Sequence, residues 1–292
     1  MLLNSEKTYF LSVRDEVLRL APNEGKRGNA SNHLILGDEL QFLDETQDEW
    51  AKFRSRRTEG WLKKNWITDN RLLEVNFVDI GQGDGCHVIT PAGEIILIDA
   101  GEGIGFNGKG GDNMLRFLNW RYNLRTRKIG GVDLVPDDAP EAVDPIEVDY
   151  AVISHPDLDH YYGFLNLFKH PKIKFKTICH NGIIERSIKD GTSSTWMFDF
   201  GRKVPPLPYK RRYHLWDTVL NHKETTDLIN AQNGSSKFYL KTLVAGYEYN
   251  PDVKFKFLSQ SQSYLDHFDD DNDMALEILG PVTEEVEFEG DT

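Results

Sequence analysis

The chain has 292 residues, enough for one large domain or two smaller ones. Its formal net charge of −13 argues against a generic cationic nucleic-acid binder, because such proteins bind phosphates with Lys and Arg. The charge does not exclude a nuclease whose metal ions supply positive charge locally. Only two cysteines are present, which excludes a disulfide framework and a cysteine-rich zinc site. The sequence shows no signal peptide and no apolar run of the roughly 20 residues needed to span a bilayer, so we expect a cytoplasmic protein without membrane association.

Residues 1–68 consist of short apolar segments separated by turn signals. Short strands at such spacing predict a small all-β barrel. The Gly-Asp pair at 37–38, the Trp-x-x-Phe segment at 50–53 and the Gly-Trp-Leu segment at 60–62 resemble a bacterial SH3-like domain. That resemblance implies a module that binds a protein or another ligand.

Three tryptophans of this first domain have two interpretations. Trp50, Trp61 and Trp66 either line a ligand groove or form the core of a barrel that is too small to bury much else.

A second domain is expected over residues 71–292. Its first segment alternates apolar Leu73, Val75 and Phe77 with polar residues, which predicts a strand with that apolar face buried. Further along, 238–244 and 253–258 are short apolar segments that we interpret as strands.

One polar cluster follows a β-branched run that ends at Ser154. His155, Asp157, Asp159 and His160 lie within six positions, where a buried strand delivers side chains to a cleft. Imidazole and carboxylate in alternation are the ligands expected for zinc or a harder divalent metal. The alternative is a solvated polar loop, which has no need of two histidines in this register.

The segment Ser154-His155-Pro-Asp157-Leu-Asp159-His160-x-x-Gly163 resembles the metal-binding signature His-x-His-x-Asp-His of metallo-β-lactamase-fold hydrolases. An acid at 157 replaces the usual second histidine, a variant typical of the ComEC-type branch, which is linked to DNA uptake. The segments 77–84 and 98–101 resemble the opening of the same branch. The resemblance implies an α/β protein in which the N-terminal portion of an αββα sandwich follows the small all-β barrel.

The resemblance also implies roles for individual residues. His155 and Asp157 would bind one divalent ion, Zn or Mn, and Asp159 and His160 would bind a second ion and act in catalysis. Two such ions lower the pKa of a bridging water and make it a nucleophile. The acids assigned to support around this centre are Asp79, Asp84 and Asp99.

Asp99 stands at the end of a strand, just before Ala100-Gly101. An acid there is placed either to accept a hydrogen bond from the second ring nitrogen of a metal-binding histidine, or simply to cap the loop.

A basic and aromatic run lies further along the chain. Such a mixture stacks on bases and meets phosphates, although a solvated face with extended side chains explains it as well. The residues assigned to substrate binding are Lys210, Arg211, Arg212, Tyr213 and His214.

The ComEC-type branch carries a later His-His-Gly-Ser block that is not found in this sequence. One sheet of a sandwich would leave a wide apolar face exposed. We therefore expect a second chain or a C-terminal fragment to complete the αββα fold and the metal site.

The favoured function is a metal-dependent hydrolase, most simply a nuclease or phosphodiesterase acting on nucleic acid, and inactive unless completed. A non-catalytic regulatory or scaffold subunit is one alternative. A hydrolase of a small ester or lactam is another, and the acidic net charge fits it better.

Overall fold

The structure, a computed structural model, describes residues 2–23, 30–56, 58–103, 112–122, 124, 145–180, 221–231 and 238–280, together with the backbone of six short strands between residues 128 and 216. The chain divides into two compact units. The first comprises Met1–Val75, Ile89–Glu94 and Leu118–Asp144, and the second comprises Asn76–Val88, Ile95–Phe117 and Pro145–Thr292. The domain ranges expected from the sequence, 1–68 and 71–292, stay a prediction.

The first unit is built on a seven-stranded antiparallel sheet with strand order β3-β2-β6-β5-β4-β1-β7. Its apolar side chains alternate along the strands and form one core, in which Tyr9, Phe53 and Leu62 are fully buried. The antiparallel sheet agrees with an all-β N-terminal module, and the SH3-like resemblance stays a prediction. The strands are β1 Thr8–Leu11, β2 Asp15–Arg19, β3 Ala30–Ile35, β4 Glu39–Gln47, β5 Trp50–Ser55, β6 Thr58–Lys63 and β7 Ile67–Thr68.

Two of the three tryptophans pack against each other in this unit. The rings of Trp50 and Trp66 meet edge to face at 5.8 Å, and Trp50 is only 5% exposed. The cationic groups of Arg19 and Lys63 lie within 5.5–5.9 Å of both ring centres. Because the chain's own cations cover these rings, the packing interpretation fits this pair better than an open ligand groove.

A six-stranded sheet with order β19-β14-β13-β10-β9-β8 lies mostly in the second unit, and its strands β10, β13, β14 and β19 run parallel. Parallel strands are covered on both faces and therefore read as nearly continuous apolar runs. The strands are β8 Glu74–Phe77, β9 Cys86–Ile89, β10 Ile95–Ile98, β13 Ile146–Val152, β14 Ile173–His180 and β19 Lys254–Phe257.

Helices and further short strands complete the assignment. The helices are α1 Asn113–Arg121, α2 Leu158–Tyr161, α3 Phe164–Phe168, α4 His222–Ala231 and α5 Phe238–Tyr249, with short 3-10 turns at Lys64–Trp66 and Gln260–Gln262. The remaining strands pair as β11 Lys128–Ile129 with β12 Val132–Asp133, β15 Ile184–Lys189 with β16 Ser194–Asp199, and β17 Lys203–Val204 with β18 Leu215–Trp216. None of the described helices is long and apolar enough to cross a membrane.

The two faces of the six-stranded sheet are covered differently. On one face, Gly246 of α5 lies against Ile178 of β14 and Phe168 of α3. On the other face, Leu265 and Phe268 pack on the sheet as part of a loop. This mixed α/β architecture agrees with the expected fold class. In the described residues, the second face carries this loop rather than a second complete sheet.

The expected orientation of β8 was wrong. Val75 is 44% exposed and Phe77 is 86% exposed, although the apolar alternation predicted that this side of the strand would be buried. Glu74 accepts two hydrogen bonds from the guanidinium of Arg121, at 3.0 and 2.7 Å, and the side chain of Asn76 lies 3.0 Å from His87 Nδ1. The polar residues therefore have specific partners on the inner side.

The contacts of Arg121 explain why β8 is stable with Glu74 facing inward. The Arg121 side chain is 5% exposed and also lies 3.4 Å from Asp38, which is itself buried. Burial works against the charged guanidinium, but the hydrogen bonds and charges of Glu74 and Asp38 outweigh it and raise the pKa of Arg121. Removing one partner of such a cluster would leave a buried charge uncompensated.

The expectation of a strand over 238–244 was also wrong, since these residues begin helix α5. Buried Tyr239, Leu243 and Gly246 recur at helical spacing. A short apolar run does not by itself distinguish a buried helix from a buried strand. The strand expected over 253–258 is confirmed as β19, Lys254–Phe257.

The exposure of Phe77 yields a stability prediction. We expect Phe77→Ala to change the free energy of unfolding by no more than about 0.5 kcal/mol, because the exposed side chain has little apolar contact to lose. Ile96→Ala, in the fully buried position of β10, should cost about 2–5 kcal/mol. Urea unfolding of both variants checks this, and equal losses would contradict the orientation of β8.

A second prediction concerns pH and His180, at the end of β14. Burial lowers the pKa of His180 to about 4, whereas the pKa of a histidine in the unfolded chain is about 6.5. Its contribution to stability is therefore complete above about pH 6.5 and is lost as the pH falls towards 4, by at most about 1.4 kcal/mol per pH unit.

The measurement is urea unfolding of wild type and His180→Gln at pH 7.5, 6.0 and 5.0. The stability advantage of wild type over the variant should shrink as the pH falls. An advantage that stays constant over this range would show that His180 takes up its proton equally in both states.

Candidate metal centre

The centre lies where strands β10 and β13 end side by side. Ile98 pairs with Val152 in parallel register, and the backbone N–H of Asp99 donates to the carbonyl of Val152 at 2.9 Å. Residues that follow the two strands therefore meet at the carboxyl edge of the sheet, which is where open α/β sheets bind ligands. The sheet thus brings Asp99 to the segment that starts at Ser154.

Asp99 is the buried anchor of this arrangement, with 3% exposure. Its Oδ1 accepts a hydrogen bond from the Ser154 backbone N–H at 2.8 Å, and its Oδ2 accepts one from Ser154 Oγ at 2.5 Å and one from His160 Nδ1 at 2.8 Å. A carboxylate only accepts hydrogen bonds, so Nδ1 is the protonated nitrogen of His160. His160 Nε2 is then left as the nitrogen able to bind a metal.

The backbone of Asp99 is as specific as its side chain. Its φ of +56° lies in the left-handed region, which aspartate tolerates better than most residues. The turn places the next residue against helix α2, because Ala100 N–H donates to the carbonyl of His160 at 2.8 Å. Strand end and helix are thereby joined through both backbone and side chain.

The four predicted ligands lie together in two pairs. His155 Nε2 is 3.5 Å from Asp157 Oδ2, and His160 Nε2 is 4.0 Å from Asp159 Oδ1. The two imidazole rings are adjacent, with centres 3.8 Å apart. His160 is mostly buried, whereas Asp157 is 62% exposed, so the pairs form a site that opens to solvent.

These distances suit a divalent ion. Two ligand atoms bound to one zinc at about 2.1 Å in tetrahedral geometry lie about 3.4 Å apart. The 3.5 Å spacing of His155 and Asp157 is close to this value, and the 4.0 Å spacing of His160 and Asp159 is wider. Ligand atoms of Asp99, His155 and His160 also fall within 4.8 Å of one another. Because both oxygens of Asp99 already accept hydrogen bonds, its position favours orienting the histidines over binding an ion.

The other two acids assigned to support lie on the loop between β8 and β9. Both Asp79 and Asp84 are exposed, and Asp79 Oδ1 accepts a hydrogen bond from the Gly81 backbone at 3.2 Å. Within the described residues, no hydrogen bond or ion pair joins either carboxylate to the four predicted ligands. The loop instead reaches the centre through its backbone.

Gly83 is the point of that contact. With φ at +87°, it packs so closely on α2 that a Cβ atom would overlap the carbonyl of Asp159 and lie 3.0 Å from the Asp159 Cβ. Gly163, the last residue of the motif, is equally tight against the carbonyl of Ala100. Backbone contacts at two glycines therefore hold the ligand-bearing turn in place.

The residues assigned to substrate binding, Lys210, Arg211, Arg212, Tyr213 and His214, lie outside the described residues.

A contribution that the sequence did not reveal is that of Ser154. It stands directly before the first histidine, and its Oγ lies between Asp99 and His155 Nδ1, 3.0 Å from the latter. A hydroxyl residue at the end of a strand, next to a histidine, is the only local signal for this role.

A family model for the metallo-beta-lactamase superfamily matches residues 86–231, which is half of the chain. The chain belongs to the metallo-beta-lactamase superfamily. The matched range contains Asp99 and all four predicted ligands, but not the N-terminal sheet, Asp79 or Asp84. No curated protein matches the chain.

Membership in the metallo-beta-lactamase superfamily implies a metal-dependent hydrolase, since its members are typically hydrolases that bind divalent metals, often zinc. The imidazole and carboxylate donors at the sheet edge fit such an ion.

The contact at Gly83 can be tested with a matched pair of variants. Gly83→Ala should push the Asp159 backbone aside and weaken zinc binding by about 10-fold or more, the size of effect seen when support around a metal site is lost. Gly81→Ala carries the same backbone strain at φ +88° but meets nothing within 4 Å, so its affinity should stay near wild type. Calorimetric titration with zinc measures both, and equal affinities would rule out the contact at Asp159.

Proposed function

We propose that this protein is a phosphodiesterase of the ComEC-like branch that acts on nucleic acid with two divalent ions. The observation that carries the proposal is the side-by-side placement of two histidine and carboxylate pairs, with imidazole centres 3.8 Å apart. Each pair offers one nitrogen and one oxygen to an ion, and two-metal sites of about 3.5–4 Å separation are typical of enzymes that cleave phosphate esters.

The chain's own residues orient the ligands. Asp99 holds the proton of His160 on Nδ1, so that Nε2 points to Asp159. Asp157 is largely exposed and can adjust to an ion held by His155. When bound, a divalent ion supplies Lewis-acid chemistry, lowering the pKa of water towards neutrality and polarising a phosphoryl oxygen.

The ligand set bears on the metal. His155, Asp159 and His160 are residue types that are common at zinc sites. Asp157 instead adds a hard carboxylate at the position where most members of the resembled family carry an imidazole. Carboxylate oxygen shifts preference from zinc towards manganese, while the two histidines keep zinc competitive. We therefore propose zinc or manganese at both positions.

Several features support a nucleic-acid substrate. The site is open on the side of His155 and Asp157, which are 41% and 62% exposed, so a polymer can approach it. In a chain of net charge −13, the ions themselves would provide the positive charge that a phosphodiester needs. In the sequence, the basic and aromatic run of 210–214 has the residue types that bind phosphates and stack on bases.

We further propose that a second chain or a C-terminal fragment completes the centre. Each proposed ion has two ligands among the described residues, whereas catalytic zinc sites commonly use three protein ligands and a water. The apolar side chains of Phe77 and Val75 are exposed at the edge of the six-stranded sheet. A further segment laid on this side would cover them and bring the remaining ligands.

The test uses protein purified without chelator, together with any polypeptide that co-purifies, and a bis-aryl phosphate and single-stranded DNA as substrates. Asp159→Asn should lower metal-dependent turnover by more than the 10- to 100-fold loss that is typical of removing a residue that only supports a ligand. Glu147→Gln removes an exposed carboxylate near the start of β13 and should leave turnover unchanged.

Three outcomes contradict the proposal. Unchanged turnover in Asp159→Asn would remove this residue from the reaction. Absence of both bound metal and turnover in wild type would favour a scaffold role. Hydrolysis of an aryl ester or a lactam, without cleavage of phosphodiesters, would assign the centre to a small-molecule substrate.

A further inference from the structure

Ser154 connects the anchor of the centre to its most exposed histidine. Its backbone N–H donates to Asp99 Oδ1 at 2.8 Å, and its hydroxyl lies 2.5 Å from Asp99 Oδ2 and 3.0 Å from His155 Nδ1. The same Oδ2 atom accepts the Nδ1 proton of His160. One carboxylate oxygen is thus linked directly to one histidine and, through a hydroxyl, to the other.

The directions of these hydrogen bonds follow from the number of protons. The carboxylate of Asp99 only accepts, so Ser154 Oγ donates its single proton to it. Towards His155 the same oxygen can then only accept, which requires the proton of His155 to be on Nδ1. Nε2 of His155, which faces Asp157, is left with its lone pair available.

We propose that Ser154 is a positioning residue that relays the orientation of Asp99 to His155, so that both histidines present Nε2 to metal. His155 needs this relay more than His160, because its side chain is 41% exposed against 12% for His160. A half-exposed imidazole without a partner at Nδ1 is free to carry its proton on either nitrogen and to rotate.

The relay is separable from a purely structural role of Ser154. The bond from its backbone N–H to Asp99 remains in an alanine variant, so the end of β13 keeps its attachment to Asp99. Ser154→Thr keeps the hydroxyl and should restore the relay. Ser31→Ala is a matched control, because it also removes a serine hydroxyl, one that lies 3.1 and 3.0 Å from the carbonyls of Leu18 and Glu59 in the N-terminal sheet.

The experiment has two readouts that do not depend on turnover. Long-range proton–nitrogen NMR correlations on metal-free protein with labelled histidine report which ring nitrogen carries the proton. Titration with zinc alone reports affinity. The proposal rests on the metal centre of the proposed function but not on its substrate, so failure to cleave phosphodiesters leaves both readouts valid.

In wild type and Ser154→Thr we expect both His155 and His160 to carry the proton on Nδ1. In Ser154→Ala, His155 alone should lose this preference, and zinc should bind 10- to 100-fold more weakly, as is typical when a hydrogen-bond partner of a ligand is removed. Ser31→Ala should match wild type in both readouts.

Two findings would overturn the relay. The first is a proton on Nε2 of His155 in the wild-type protein, which needs no variant. The second is a Ser154→Ala variant that either retains the wild-type pattern and affinity or loses the Nδ1 proton of both histidines together, since the latter would show a general disturbance around Asp99. If the alanine variant does not fold, the wild-type spectrum still tests the relay, because a proton on Nε2 of His155 would overturn it.

Discussion

The hydrogen bonding of one buried carboxylate organises this centre. Asp99 accepts from the backbone and hydroxyl of Ser154 and from the ring of His160, and it is 3% exposed. Hydrogen bonds to a carboxylate are stronger than neutral ones, and a buried acceptor left without donors is costly. Asp99 therefore needs these donors in order to be buried, and the histidine side chains need Asp99 to hold their orientation.

The sheet and two glycines supply the precision that side chains alone would lack. The parallel pairing of β10 with β13 sets Asp99 next to Ser154, and the tight contacts at Gly83 and Gly163 hold the following turn against it. A site built from strand ends and backbone contacts is more rigid than one built on a free loop. The side chains of His155 and His160 are consequently held close together at the edge of the sheet, with ring centres 3.8 Å apart.

Strand β8 turns its polar side chains inward and its apolar side chains outward. Glu74 is held on the inner side by Arg121, and Asn76 lies beside His87, which leaves Val75 and Phe77 outward. Apolar side chains this exposed at a sheet edge are typical of surfaces that another segment covers. Because the polar side chains of β8 turn inward to their hydrogen-bonding partners, its apolar side chains are left exposed at the edge of the sheet.

The sequence by itself determined the N-terminal β character and the superfamily, and it predicted a metal-binding cluster at 155–160, because these depend on local spacing and residue chemistry. Only the tertiary structure decided that Asp99 meets His160, 61 residues away, that β8 turns its apolar side outward, and that 238–244 is helical. A short apolar run is compatible with helix and strand alike, and alternation does not say which face is covered. Those choices depend on which distant side chains arrive as partners, and that depends on the folding of the whole chain.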